Sequence, residues 1–214
     1  MTTRLRTRRA AQVTIAAAAA LVLAACGGGS GDSAAHHTSA APGASASASA
    51  SAHNAQDVAF AQGMIPHHQQ ALEMARLAAD RASSAQVKDL AARIEKAQDP
   101  EISTMTGWLK AWGEQVPMAG MDHSGHSGMP GMAGTSGTSG MMSDGDMAAL
   151  KKKRGTDFDA SFLSMMVRHH QGAVEMAGTE KTEGAYGPAK ALADAVVTGQ
   201  TAEIKEMNKL LGKG

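Results

Sequence analysis

The 214-residue chain has a single cysteine, Cys26. One thiol can neither close an internal disulfide nor build a thiolate metal cluster, so the fold must hold without either. Aromatic residues are almost as scarce, at three Phe, two Trp and one Tyr. Any core must therefore be built from Ala, Leu, Val, Ile and Met packed at close helix spacing. There is no surplus of positive charge either, because 20 Lys and Arg face 20 Asp and Glu. Four of those basic residues (Arg4, Arg6, Arg8 and Arg9) precede Cys26 and no acidic residue does, which leaves the remainder at −4. The basic patch that nucleic-acid binding requires is missing, so nucleic acid is not an expected partner.

A membrane-spanning run is also lacking. The apolar stretch Ala10–Ala25 falls short of the ~20 residues that a spanning helix needs. Placed after four arginines and ending in Leu23-Ala24-Ala25-Cys26, it reads instead as a lipoprotein export signal over residues 1–25. Cleavage there makes Cys26 the lipidated N-terminus, which anchors the chain to the membrane outside the cytoplasm. It also leaves metal binding to His, Met, carboxylate and amide groups. Residues 26–55, rich in Gly, Ser and Ala, read as a disordered tether, since they cannot bury enough surface to offset chain entropy.

What the rest of the chain does have is a repeat. Adding 102 carries Asp57, Phe60, Met64, His67, His68 and Gln69 onto Asp159, Phe162, Met166, His169, His170 and Gln171. The register holds through Glu73, Met74, Gln98, Glu101, Ile102 and Met105, which land on Glu175, Met176, Gln200, Glu203, Ile204 and Met207. Within each copy the apolar positions recur at three- and four-residue steps, the period of a helix. Each copy is therefore expected to be a hairpin of two helices, 57–112 and 157–213, with turns at Ser83-Ser84 and Gly184–Pro188. Together they predict an all-α, four-helix bundle domain over residues 56–214. Pro66 and Pro100 fall inside predicted helices, and because Arg168 and Ala202 replace them in the second copy, they are expected to kink the helices rather than break them. A short helix from Ser143 to Arg154, stopped by Gly155, should precede the second hairpin.

The chemistry concentrates on matching stripes. Met64, His67, His68 and Met74 lie on the first helix, with Met166, His169, His170 and Met176 on its copy. The second helices contribute Gln98, Glu101 and Met105, and Gln200, Glu203 and Met207. If antiparallel neighbours sum to about 166 in the first hairpin, His67 and His68 sit opposite Gln98, and Met64 sits opposite Glu101. Imidazole, thioether, carboxylate and amide groups then meet at one level. Thioethers favour Cu(I) and imidazole also suits Cu(II). Met and His side chains recur in the linker 113–156, where Met118, Met121, His123, His126, Met129, Met132, Met141 and Met142 sit among Gly and Ser. Core packing does not account for Met in such a context, so these too are candidate copper ligands.

The runs Met64-Ile65-Pro66-His67-His68-Gln69-Gln70-Ala71-Leu72-Glu73-Met74-Ala75 and Met166 to Ala177, the two Gln-x-x-Glu-Ile-x-x-Met runs, and Met129-Pro130-Gly131-Met132 together resemble the bacterial domain-of-unknown-function family numbered three hundred and five. That resemblance implies a ferritin-like helical bundle, often secreted, with some members linked to copper binding and resistance. The expectation is an anchored, non-enzymatic protein that sequesters copper, with Cu(I) favoured over Cu(II), or hands it to a transfer partner. Two alternatives remain at this level. One is a metal-free structural or interaction module. The other is a carboxylate-metal oxidase, although neither His pair has the Glu-x-x-His spacing that such sites use.

Overall fold

The first helix starts where a reciprocal cap forms. The Asn54 side chain accepts from the N–H groups of Gln56 and Asp57, and the Asp57 carboxylate accepts from the Asn54 N–H. Such a box satisfies backbone donors that a helix end leaves orphaned. In the computed structural model, which describes residues 52–117 and 139–213, this helix is α1 (Ala55–Arg81). It is followed by α2 (Ala85–Trp112), capped by Ser84 and ended by Gly113 at φ 76°, a left-handed conformation that suits glycine. Helix α3 (Asp144–Lys152) starts at a second capping box, Ser143 with Asp146. Helices α4 (Gly155–Glu183) and α5 (Gly187–Leu210) form the second hairpin, with Pro188 in the first turn of α5. The described residues thus contain helices and no strand, in the order α1 to α5.

One expectation changes on inspection. Gly155 does not stop the short helix, which ends when Lys153 turns extended. Gly155 instead takes φ 62° and opens α4. Pro66 and Pro100, as expected, lie inside helices that run through them unbroken.

Helices α1 and α4 pack antiparallel. Facing pairs have residue numbers that sum to 236 or 237: the His67 ring lies against that of His169, Asn54 Nδ2 donates to Glu183 O, and Ala82 bridges Gly155. The repeat makes this contact pseudo-twofold, and the ends are locked by the same residue in both copies. Asp57 accepts from the N–H groups of Ala185 and Tyr186, the turn of the second hairpin. Its counterpart Asp159 accepts from the N–H groups of Ser83 and Ser84 and from the Ser83 hydroxyl, the turn of the first. Each hairpin thus holds the other's turn.

The core falls into two clusters. One contains Phe60, Met64, Ile65, Met105, Leu109 and Ala173. The other contains Ala71, Met74, Leu90, Phe158, Phe162, Met166 and Met207. Met142 and Met147 also belong to the second cluster, at 7% and 5% exposure. Core packing therefore does account for Met142, contrary to the sequence expectation. The segment after residue 138 folds back onto the bundle, and α3 lies against α1 and α4.

Candidate metal centre

Between the two clusters lies a polar layer. Ile65 and Ala71 fall in different clusters, as do Val167 and Ala173, and the four histidines occupy the intervening positions. His67, His68, His169 and His170 are all fully buried. The rings of His67 and His169 meet across the pseudo-twofold axis with centroids 3.7 Å apart and planes tilted by 38°.

Outer partners orient three of these rings. His68 Nε2 lies 2.7 Å from Glu101 Oε2, and His170 Nε2 lies 2.7 Å from Glu203 Oε2. His67 Nε2 lies 3.1 Å from the backbone oxygen of Ser139. Carboxylate and carbonyl oxygens only accept, so each of these three imidazoles carries a proton on Nε2, and the neutral form of such a ring leaves Nδ1 with a lone pair. All four Nδ1 atoms, and Nε2 of His169, are buried without a hydrogen-bond partner. Both amide atoms of Gln98 and the Gln200 oxygen are equally unpartnered. Burial first, then the neighbouring His68, lowers the His67 pKa to about 3, against a weaker upward pull from Ser139. Burial and the other three imidazoles push His169 well below its usual range; the His67 main chain pulls weakly the other way, without a completed hydrogen bond. Both rings are therefore neutral at physiological pH, the form that can ligate a metal.

Thioethers border this layer on both sides. Met64, Met105 and Met176 pack in or against one cluster, and Met166, Met207 and Met74 belong to the other. These are repeat equivalents, so each set takes two methionines from one hairpin and one from the other. Sequence stripes alone grouped Met74 with Met64, whereas the crossing of α1 and α4 separates them. The register within the hairpin also shifts. Glu101 reaches His68 rather than Met64, because helix side chains lean toward their own N-terminus and antiparallel partners meet about one turn off the level of their Cα atoms.

Among the described residues, no three His, Cys, Asp or Glu side chains are arranged to hold a metal ion. Glu101 and Glu203 are committed to their histidines, so a metal in this layer would have to draw on imidazole Nδ1 and thioether sulfur. Of the linker candidates, Met118, Met121, His123, His126, Met129 and Met132 lie outside the described residues, as does Cys26. Met141 is half-buried, and the Met142 sulfur accepts from Arg168 Nη2 at 3.5 Å. Ser139, Gln70 and Gly172, which seat the chain over His67, escaped the sequence reading. The one visible signal was the repeat mismatch that sets Gln70 against Gly172.

Comparison with known proteins agrees with this architecture. Residues 57–211 match the family model described as a domain of unknown function, DUF305. A DUF305 protein of Streptomyces coelicolor described as secreted is 33% identical, with a TM-score of 0.64, covering 74% of this chain and 93% of its own. A DUF305 fragment from Deinococcus radiodurans is 29% identical, with a TM-score of 0.63 over 75% and 98% of the two chains. CopM in its Cu(II)-bound form is 34% identical, with a TM-score of 0.59 over 73% and 95%; CopM structures with Cu(I) and with silver match as well. No curated protein matches the chain. Family model, solved relatives and helical repeat agree, and the chain belongs to the domain-of-unknown-function family DUF305.

Proposed function

We propose that this protein is an extracytoplasmic copper-binding protein whose bundle takes up Cu(I) through imidazole Nδ1 atoms and the flanking thioethers. One observation carries the reading: four buried histidines present unpartnered Nδ1 atoms in a layer bordered by six methionines. An unpaired buried polar atom costs about 1 to 3 kcal/mol, a cost that a bound ligand offsets. Soft, neutral donors select a soft ion, and Cu(I) is the biological ion that matches them. The copper- and silver-bound CopM structures support this reading by likeness. Glu101 and Glu203 would act as outer partners that hold the rings and raise ligand basicity. The protein would sequester copper or hand it on, anchored through Cys26, and the Met- and His-bearing linker would be a further capture site.

A metal-free module is the second reading, favoured by the close contact of the His67 and His169 rings and by the absence of a ready three-ligand cluster among the described residues. Titrating the mature protein with Cu(I) against a chromophoric competitor, while following melting temperature, separates the two. Replacing His67, His68, His169 and His170 with Gln should leave a helical protein whose melting temperature no longer rises with copper, since a ligand stabilises only the state it binds. An undiminished copper-dependent rise in that variant would refute the site.

A further inference from the structure

The four residues Ser139–Met142 cross the groove between α1 and α4 and are fastened to both helices. On α1, the Gln70 amide donates to Met142 O at 2.9 Å, and the Met142 N–H donates to Gln70 Oε1 at 2.7 Å. On α4, the Ser139 hydroxyl donates to Glu175 Oε2 at 2.7 Å, and Arg168 donates to the Met142 sulfur. The seat depends on the absence of a side chain. A Cβ at Gly172 would overlap the Ser139 carbonyl, and Gly140, at φ 81°, has no room for one against the backbone of Arg168 and Gly172. In the repeat frame Gly172 and Gln70 are the same position. One copy has become a clamp and the other a gap, and together they hold the segment on one side of an otherwise twofold layer.

What the strap delivers there is the Ser139 carbonyl, 3.1 Å from His67 Nε2. We propose that Ser139–Met142 is a positioning strap for the metal layer: through the Ser139 carbonyl it holds His67 as the Nε2–H tautomer with Nδ1 free, and Gly172 is the residue that admits it. The Ser139 carbonyl does for His67 what Glu101 does for His68 and Glu203 for His170. His169 has no such partner, so the strap makes the two central imidazoles inequivalent. The consequence for copper rests on the function proposed above; the tautomer assignment does not.

The test uses the full mature protein with Gly172→Ala, with Gly178→Ala as its control. Both glycines lie inside α4, but a Cβ at Gly178 meets nothing within 4 Å. Alanine favours a helix over glycine, so Gly178→Ala should melt higher than wild type, whereas Gly172→Ala should not. Nitrogen-15 imidazole spectra of the apo protein should show a single Nε2–H tautomer for His67 in wild type and Gly178→Ala, and a mixture in Gly172→Ala. Cu(I) affinity should fall on the order of 10-fold in Gly172→Ala, as for loss of other outer partners of metal-bound histidine, and stay unchanged in Gly178→Ala. Should Gly172→Ala fail to fold, Gln70→Ala releases the strap from α1 without crowding α4 and should give the same tautomer change. An unaltered His67 tautomer in the strap-releasing variant overturns the proposal. A wild-type protein that binds no copper would defeat the functional reading alone, and the tautomer measurement would still decide the strap's role.

Discussion

Glu180 shows how a single side chain can break the symmetry of a duplicated fold. Its counterpart in the first repeat is Ala78, yet Glu180 is fully buried against Asp57, and neither of its oxygens meets a protein donor. Asp57 is held below the usual carboxylate range: burial works to raise it, but the N–H groups of Asn54, Tyr186 and Ala185 and a contact with Glu180 outweigh burial. Glu180 is pushed up to about 8, by burial first and then by the neighbouring Asp57 carboxylate, with the α5 residue Lys190 pulling weakly the other way. At neutral pH Glu180 therefore keeps its proton while Asp57 is ionised. Between the ordinary Glu value near 4.3 and about 8, the folded chain binds one proton more than the unfolded chain, so this residue's contribution to stability falls as pH rises through that window. Glu180→Gln keeps a donor toward Asp57 but cannot ionise. Urea unfolding should show the variant gaining on wild type by about 2 to 4 kcal/mol between pH 5 and pH 9. A difference that does not change with pH would show that Glu180 is already ionised in the folded protein.

The helices themselves carry the record of two copies drifting apart. Pro100 lies exposed inside α2, where the second repeat has Ala202, and α2 runs through it at the loss of one backbone donor. The hydroxyls of Ser103 and Thr104 donate back to the carbonyls of Asp99 and Pro100 instead of facing solvent alone. Pro100→Ala restores the donor at a site already helical and should stabilise the protein by about 1 to 2 kcal/mol, read from the urea midpoint. Unchanged or lowered stability would mean that the local backbone at Pro100 is needed for α2 to reach His68 with Glu101. Helix periodicity, turn positions and duplicate register were all legible without coordinates, because each depends on residues three to five apart or on simple identity at a fixed offset. Gly155 was misread for the same reason: glycine permits a positive φ at either end of a helix, and only the packing of α4 on α1 shows which end it serves.

Taken whole, the molecule divides into a described bundle and segments that carry the export reading. No described helix is long and apolar enough to cross a membrane. The proposed anchor is Cys26, and Cys26→Ala should then move the protein from the membrane fraction to the soluble one without altering helicity by circular dichroism. Mass spectrometry that finds the wild-type N-terminus elsewhere and without lipid would refute the anchor. Loss of copper binding in the four-histidine variant belongs to this scale as well, because the layer exists only once both hairpins have docked. The amino-acid sequence by itself determined the hairpin, its duplication and the residue types of the site, since periodicity and identity are local properties of the chain. Tertiary structure alone decided that His67 faces His169, that Met74 and Met176 exchange partners between hairpins, and that Ser139 reaches His67 from 72 residues away. Those outcomes follow from the antiparallel crossing of α1 and α4, a contact whose register no spacing within either repeat encodes.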